Sequence, residues 1–349
     1  MSSPKLRGLP HVPITPLKRK RSTSPALLSS TRSAKPTSYR SVEEPIIEPA
    51  EGEVRVKIEA FGINRADQML RTGVYARPAQ LPHARLGCEG TGIIDAVGPG
   101  VDKVEVGDAV LITAVPEMDT RGTYAEYTNV PATSVISRPS GLDAVAAAAL
   151  CVVYSTAYGS LIENAGMQPG DHVLITAASS AVGLAAIQIA NQIGAIPLAV
   201  TRSAVKKDDL LAAGAAAVIT SDTEDVVQAA REYTHGVGVE IILDSIMGPG
   251  LLELAKAAKF GGTLITVGWL DTRPAPFPMS RPLTIHSYVS FEHTLDPAVV
   301  HRTAAFLNAG LRTGVIRPTI DEVFTLDQIV DAHRYLERGQ QVGKVVVTV

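Results

Sequence analysis

The sequence predicts an α/β protein in which a β-barrel-like domain is joined to a doubly wound parallel sheet of six strands. The strongest observation is residues 172–203, where an apolar run, a turn of small residues, an amphipathic helix and a second apolar run follow one another. Strand, tight turn, helix and strand in this order form a βαβ unit. The alternation continues to residue 289, and short runs punctuated by Gly and Pro precede it. These patterns indicate two domains, which a chain of 349 residues can accommodate.

The barrel-like domain is predicted from alternating apolar and charged residues, a pattern typical of half-buried strands. Strands are predicted at 54–58, 93–97 and 109–113, with a short helix at 63–71. An Ala-rich helical span over 143–162 then leads into the parallel sheet.

The six strands of the parallel sheet are predicted from buried apolar runs that alternate with helical stretches. The strands are predicted at 172–176, 196–200, 217–219, 239–243, 263–267 and 283–289, and the helices at 184–194, 224–234 and 249–259. A helix at 327–338 and a strand at 345–349 are predicted to return to the barrel domain.

Composition excludes several classes of protein. Hydrophobic residues make up 46% of the chain, and the longest clean apolar run, residues 144–153, is about half of what a membrane helix needs. Two cysteines exclude a disulfide framework and favour a reducing compartment, so we expect a cytoplasmic protein. Nine of the 32 basic residues lie in residues 1–42, where there is no acid, so the rest is strongly acidic and unlike a nucleic-acid binder.

Residues 1–40 are rich in Pro, Ser and Arg and lack apolar periodicity, which predicts a disordered basic tail. The cluster at 17–21 fits a nuclear import patch, a transit-type leader or a solvated tail. The last interpretation is favoured, because short basic motifs often occur by chance.

The turn at residues 177–183 predicts a nucleotide site. In dinucleotide-binding βαβ units the helix N-terminus holds the pyrophosphate, and the fingerprint is G-x-G-x-x-G. Here Ala and Ser take the first two glycine places, and the glycine needed for close helix–strand packing remains. The predicted cofactor-binding residues of this turn are Ala178, Ser179, Ser180, Ala181, Val182 and Gly183. The alternative is a structural turn in some other α/β protein.

Short motifs in a fixed order extend the comparison over about residues 45–349. They are Gly52-Glu53-Val54, Gly62-Ile63-Asn64-Arg65-Ala66-Asp67, Gly73-Val74-Tyr75, Gly87-Cys88-Glu89-Gly90-Thr91-Gly92, Val106-Gly107-Asp108, Gly122-Thr123-Tyr124-Ala125-Glu126-Tyr127, Ser155-Thr156-Ala157-Tyr158, the turn above, Gly261-Gly262-Thr263 and Val342-Gly343-Lys344-Val345. With them the chain resembles the medium-chain dehydrogenase/reductase superfamily, in its zinc-independent quinone and enoyl reductase branch.

The resemblance implies a domain organisation. A GroES-like catalytic domain at 41–149 and 287–349 would be interrupted by a Rossmann NADP-binding domain at 150–286, with the active site in the cleft between them. It also implies a strand and hairpin ahead of Glu44, where this sequence has the basic tail instead.

The resemblance gives no metal site. Zinc-dependent relatives have a Cys at the place of Asn64, a His at Cys88 and a further Cys at Val152. Zinc needs three or four converging N, S or O ligands. Cys88 and Glu89 are what remains, and Cys151 is one residue out of place, so we predict that no zinc is bound.

Without zinc a carbonyl oxygen lacks its Lewis acid, which favours conjugate reduction through an enolate stabilised by hydrogen bonds. The resemblance implies that Asn64 and Tyr75 are catalytic groups beside the nicotinamide and substrate, and that the Thr156 hydroxyl lies against the nicotinamide ring. Tyr75 is predicted to donate a proton to the α-carbon, because a phenol stays protonated at neutral pH. The alternative is that Tyr75 is an aromatic lid without proton transfer.

The cofactor is predicted to be NADPH. NAD-specific relatives carry an acid at the end of the second Rossmann strand, whereas this chain has a Thr followed by basic residues that can hold a 2′-phosphate. The alternative is a solvated basic loop offset by two neighbouring aspartates. The further predicted cofactor-binding residues are Thr201, Arg202, Ser203, Lys206, Val267 and Gly268.

The sequence therefore predicts an NADPH-dependent oxidoreductase that reduces an α,β-unsaturated carbonyl, an enoyl thioester or a quinone without zinc. A zinc-free alcohol dehydrogenase and a non-catalytic protein that binds or senses NADPH stay open as alternatives. The expected partner is a small-molecule substrate, with neither nucleic acid nor membrane, and a homodimer stays open.

Overall fold

The structure is a computed structural model that describes residues 21–27, 39–75, 77–80, 84–113, 115, 117–279 and 281–349. Its strands are β1 (Arg21–Leu27), β2 (Tyr39–Pro45), β3 (Glu53–Gly62), β4 (Gly90–Val97), β5 (Ala109–Ile112), β6 (Tyr127–Pro131), β7 (Val135–Ser137), β8 (His172–Ile175), β9 (Ile196–Thr201), β10 (Ala217–Thr220), β11 (Val239–Asp244), β12 (Ala258–Thr266), β13 (Thr284–Ser287), β14 (Ile320–Thr325) and β15 (Lys344–Thr348).

The α-helices lie between these strands. They are α1 (Arg65–Thr72), α2 (Met118–Arg121), α3 (Ala144–Ala148), α4 (Cys151–Tyr158), α5 (Ala181–Ile193), α6 (Lys207–Ala212), α7 (Val226–Tyr233), α8 (Leu251–Leu254), α9 (Phe291–Thr294), α10 (Pro297–Thr313) and α11 (Ile329–Arg338). A π-helical segment, Gly159–Asn164, continues α4, and 3-10 turns lie at Ala132–Ser134, Ala204–Lys206, Ala255–Ala257 and Leu326–Gln328. Among the described residues, none of the helices has both the length and the apolar character to cross a membrane.

The six strands β8–β13 form one parallel sheet with the order β10-β9-β8-β11-β12-β13. This is the doubly wound Rossmann order, and it confirms the predicted six-stranded sheet. Successive residues of β8 face opposite layers: Val173 and Ile175 pack in the core that contains α4 and α5, and Leu174 packs in the core that contains α7 and α8. Burial on both faces explains why this strand is a continuous apolar run.

The barrel domain is one seven-stranded sheet with the order β14-β15-β3-β4-β5-β7, and β6 pairs with β3. Strand β3 is central, because β15 pairs with its end and β6 with its beginning, while β4 runs along its other edge. The C-terminal strand therefore returns to the sheet that the N-terminal half begins, as predicted. The sheets place residues 53–137 and 320–348 in one domain and 172–287 in the other; the boundaries at 149/150 and 286/287 stay predictions.

The N-terminal region differs from the prediction. Strand β1 pairs antiparallel with β2, so residues 21–27 and 39–40 are not the disordered chain expected. This two-stranded element includes Glu44, which pairs with Ser22. It is held in place because the buried Tyr39 hydroxyl lies 3.1 Å from Nε2 of His333 and Glu44 forms an ion pair with Arg85. Residues 1–20 and 28–38, including most of the basic cluster, lie outside the described residues, so their disorder stays a prediction.

Two other differences are local. The helix predicted over 249–259 ends at Ala257, because Ala258 pairs with Val239 in the sheet and tertiary pairing overrides a sequence with high helix propensity. The 17-residue helix α10 was not predicted at all.

Candidate active site

The turn between β8 and α5 has the geometry of a phosphate-binding turn. Ser180 is the N-cap of α5, and its hydroxyl accepts a hydrogen bond from the Gly183 amide at 3.1 Å. The first amides of a helix have no partner within it. The amides of Ala181 and Val182 make no hydrogen bond to any described residue, so they are available to a ligand. A Cβ on Gly183 would lie 2.5 Å from the carbonyl oxygen of Ala178, so only glycine fits.

The carboxyl ends of three strands meet beside this turn. Thr176, after β8, donates to Oδ1 of Asp244 at 2.6 Å and accepts from the amide of Ser245 at 3.0 Å. The amide of Val267, after β12, donates to the carbonyl of Asp244 at 2.8 Å. A Cβ on Gly268 would lie 2.8 Å from the carbonyl oxygen of Ser245. The structure thus brings Val267 and Gly268 to the sheet edge that carries the phosphate turn, where doubly wound folds bind ligands.

The loop after β9 brings a cation to the same turn. Thr201 is buried, whereas Arg202 and Ser203 are exposed. Lys206 Nζ donates to Oγ of Ser179 at 3.3 Å and to the carbonyl of Gln341 at 2.8 Å, and partial burial lowers its pKa. Of the predicted 2′-phosphate residues, Lys206 is therefore the one that already contacts the turn.

Asn64 lies in a buried polar cluster at the start of α1. Its Nδ2 donates to Oε1 of Glu89 at 2.9 Å and to the carbonyl of Gly62 at 3.3 Å. Its Oδ1 accepts from Nζ of Lys344 at 2.6 Å, and Lys344 also forms an ion pair with Glu89. Both charged side chains are almost fully buried, with relative exposures of 2% and 1%. The amide of Val152 donates to the other carboxylate oxygen, Oε2 of Glu89, at 2.7 Å.

The cluster occupies the place where the resemblance puts the zinc ligands, but its donors do not suit zinc. An ammonium and an amide nitrogen cannot ligate the metal, and the Lys344 ammonium already provides a positive charge beside Glu89. Burial, with the carboxylates of Asp67 and Glu89, raises the pKa of the Cys88 thiol well above its usual range, which keeps it protonated. Across the described parts of the chain there is no group of three or more His, Cys, Asp or Glu side chains able to hold a metal ion.

Tyr75 lies at the other end of α1, after the left-handed C-cap at Gly73. Its half-buried ring packs against the barrel core that includes Cys88, whose thiol is 3.3 Å from Nδ2 of Asn64. Burial, with smaller effects of Cys88 and Asp67, raises the pKa of Tyr75 to about 12. The phenol is therefore protonated at neutral pH.

Helix α4 connects the cluster with the Rossmann domain. Val152 binds Glu89 through its amide, and Thr156 follows one helical turn later on the same face of α4. The Thr156 side chain is buried, and α4 packs against α5, the helix that begins at the phosphate turn.

Lys344 is a residue of the candidate site that sequence reasoning missed. The motif around it was recognised, but no role was assigned to the lysine. The sequence does contain a signal for this residue, because Lys344 begins a strand whose following residues are valines. Burying a charge without a partner costs much free energy, so a lysine at such a position indicates a buried partner of opposite charge. The preceding residue, Gly343, donates its amide to the carbonyl of Ser179 at 3.0 Å, so one short segment joins the phosphate turn to the cluster.

Comparisons with known proteins agree with this geometry. Residues 50–140 match the family model described as alcohol dehydrogenase GroES-like domain, and residues 213–347 match the one described as zinc-binding dehydrogenase. The quinone oxidoreductase of Lama guanicoe is 30% identical over 303 residues, which cover 86% of this chain and 89% of the relative. The chain belongs to the medium-chain dehydrogenase/reductase superfamily. The superfamily and its quinone and enoyl reductase branch were predicted from the motifs, and that prediction is confirmed.

Other members of the superfamily show the same likeness. Human quinone oxidoreductase is 29% identical over 303 residues, covering 86% of this chain and 90% of the relative. The rat synaptic vesicle membrane protein VAT-1 homolog is 30% identical over 319 residues, covering 86% and 77%. The structure of Escherichia coli quinone oxidoreductase complexed with NADPH has a TM-score of 0.86 at 25% identity, over 94% of this chain and all of that one. Although one matching model is described as zinc-binding, the cluster in this chain does not have a zinc ligand set.

Proposed function

We propose that this oxidoreductase uses NADPH to reduce an α,β-unsaturated carbonyl, an enoyl thioester or a quinone, by hydride transfer without zinc. The observation that carries the proposal is the buried Lys344–Glu89–Asn64 cluster, which replaces the metal ligands and is joined to the phosphate turn through the segment before Lys344. Quinone oxidoreductase relatives and a neighbour named as an enoyl reductase, CurK, support the same class of reaction.

The residues present fit a dinucleotide. Gly183 leaves the space that a side chain would fill, and the free amides of Ala181 and Val182 suit a pyrophosphate. Lys206 and Arg202 are the cations for a 2′-phosphate, and a charge-assisted hydrogen bond contributes about 1.5–3 kcal/mol. NADPH, when bound, supplies the hydride. The E. coli neighbour complexed with NADPH supports this choice of cofactor.

The protein's own contribution to the chemistry is to orient the substrate and provide a proton. Both amide hydrogens of Asn64 are donated to protein acceptors, and its oxygen faces Lys344, so Asn64 forms a fixed wall of the site. Tyr75 is a protonated acid at neutral pH. Donation to the α-carbon of an enolate by such a group accelerates the reaction by roughly 10²–10⁴. A quinone needs less from Tyr75, because water can protonate its oxygens.

The test is NADPH and NADH consumption against a panel of quinones, enones and enoyl thioesters. Turnover with NADPH is expected, and Tyr75→Phe should lower kcat for enones by about 10²–10⁴ while NADPH affinity and quinone reduction change little. Tyr233→Phe, on the exposed face of α7, is the matched control. Turnover confined to alcohols and aldehydes would instead indicate a zinc-free alcohol dehydrogenase, and NADPH binding without any turnover would indicate a sensor. Unchanged enone rates in Tyr75→Phe would make the ring a lid.

A further inference from the structure

A short segment of the barrel domain lies against the phosphate turn of the Rossmann domain. It is residues 341–343, between α11 and β15, and we call it the return segment. The amide of Gly343 donates to the carbonyl of Ser179 at 3.0 Å, and Gly343 forms a parallel β-bridge with Ser180. Gly343 has a left-handed φ of 109°, and a Cβ there would lie 2.5 Å from the carbonyl oxygen of Thr319, so only glycine fits.

The return segment is also fixed within the barrel domain. The amide of Val342 donates to Oδ1 of Asp321 at 3.0 Å, and the amide of Lys344 donates to the carbonyl of Thr319 at 2.9 Å. Lys344 follows the segment directly, and its ammonium donates to Oδ1 of Asn64 in the buried cluster. A shift of the return segment therefore reaches the group that orients Asn64.

Lys206 connects the predicted 2′-phosphate site with the return segment. It follows β9 of the Rossmann domain, and its Nζ donates to the carbonyl of Gln341 at 2.8 Å and to Oγ of Ser179 at 3.3 Å. An ammonium has three N–H donors, so one remains, and the half-buried side chain is still open to solvent. A phosphate that accepts from this third donor would bind the same nitrogen that holds the barrel domain.

We propose that the 2′-phosphate of NADPH acts through Lys206 to fasten the return segment to the phosphate turn, so that NADPH orders the buried cluster better than NADH does. This inference rests on the proposed function. A lysine side chain loses rotamer freedom when its ammonium is held in one place. Because the phosphate already fixes Lys206, the contact with Gln341 then forms at a smaller further cost in entropy. Coupling between two binding events typically changes an affinity by about 5–150-fold.

The experiment is hydrogen–deuterium exchange of the full chain, followed by mass spectrometry of peptides that contain residues 341–345, at saturating NADPH and at saturating NADH. The Gly343 amide exchanges when its contact with Ser179 opens, so its rate reports how firmly the segment is held. NADPH should slow this exchange by about fivefold relative to NADH. Lys206→Met should abolish the difference between the two cofactors.

Arg202→Met is the matched control, because Arg202 is exposed and its side chain forms no hydrogen bond to the barrel domain within the described residues. It should weaken NADPH binding but keep the difference in exchange once the cofactors saturate. The catalytic readout is kcat for 1,4-naphthoquinone, since the nicotinamide is the same in both cofactors. It should be about fivefold higher with NADPH in the wild type and equal for the two cofactors in Lys206→Met.

The possible failures are distinguishable. Equal exchange with the two saturating cofactors, or a difference that survives in Lys206→Met, would overturn the coupling even if NADPH is turned over. Equal kcat with the two cofactors in the wild type would overturn the link to the buried cluster. Failure of NADPH to bind would overturn the proposed function, and the coupling with it.

Discussion

Replacement of Lys344 by methionine tests the buried cluster, because it removes the only cation that contacts the Glu89 carboxylate among the described residues. Methionine has a similar length and no charge. Removing one partner of a buried ion pair leaves the other uncompensated and costs about 3–5 kcal/mol. Both side chains here are nearly fully buried, so solvent cannot screen the loss. We therefore expect Lys344→Met to lower the free energy of unfolding by about 3–5 kcal/mol.

The double variant Lys344→Met/Glu89→Gln removes both charges and should recover most of that loss. Glutamine still accepts the hydrogen bond from the amide of Val152, and the Asn64 amide can turn so that its oxygen accepts from the new amide group. Stability should return to within about 1.5 kcal/mol of the wild type, because an uncharged replacement of a buried pair is often nearly neutral. Reductase activity should not recover, because the Asn64 amide no longer has the orientation that Lys344 imposes.

Urea denaturation of the four proteins of this cycle measures the coupling energy. Lys256→Met is the matched control, since its lysine forms an exposed i,i+3 pair with Glu253 and should change stability by less than about 1 kcal/mol. Two results would refute the claim that Lys344 and Glu89 stabilise each other as a buried ion pair. One is a loss of unfolding free energy below about 1 kcal/mol in Lys344→Met, and the other is a double variant whose loss equals the sum of the two single losses.

Three further outcomes are expected. Gly183→Ala should weaken NADPH binding more than tenfold in a fluorescence titration, because its methyl group would collide with the turn, whereas Gly250→Ala has open space and should bind normally. Burial raises the pKa of Asp67 to about 7 in the folded protein. Because the native state then holds the proton more tightly than the unfolded chain, Asp67 should reduce stability by up to about 1.4 kcal/mol per unit as pH rises from about 4 to 7. Asp67→Asn should abolish that slope in denaturation curves while the exposed Asp331→Asn keeps it. Tyr39→Ala should cost about 3 kcal/mol and speed hydrogen exchange in β2, and unchanged exchange would show that Tyr39 does not anchor the strand.

The sequence was most informative where local pattern and tertiary role coincide. Strand β8 is buried on both faces, so its apolar run predicted both the strand and the sheet type. Ser180 and Gly183 could be assigned to the phosphate turn because their roles depend on neighbours in sequence. Ser180 caps the helix by accepting from the amide of Gly183, and Gly183 must lack a side chain because the carbonyl of Ala178 lies too close.

Residues whose roles depend on distant partners could not be predicted in this way. Tyr39 holds β2 through His333, 294 residues away, and β1 carries neither clear alternation nor an apolar run. Lys344 meets Glu89 across 255 residues, so nothing near it in sequence revealed that its charge was paired. The helix predicted over 249–259 was likewise too long, because helix propensity is a local property. Ala258 belongs to strand β12 instead, since it pairs with Val239, which is distant in sequence.

The most direct measurement of the central claim follows the hydride. NADPH carrying deuterium at the transferred position is incubated with an enone and the wild-type protein, before and after treatment with a zinc chelator, and the product is examined by NMR. Hydride transfer without zinc predicts one deuterium at the β-carbon, at a rate that the chelator does not change. Deuterium at the carbonyl carbon, or loss of activity on chelation, would contradict the assignment.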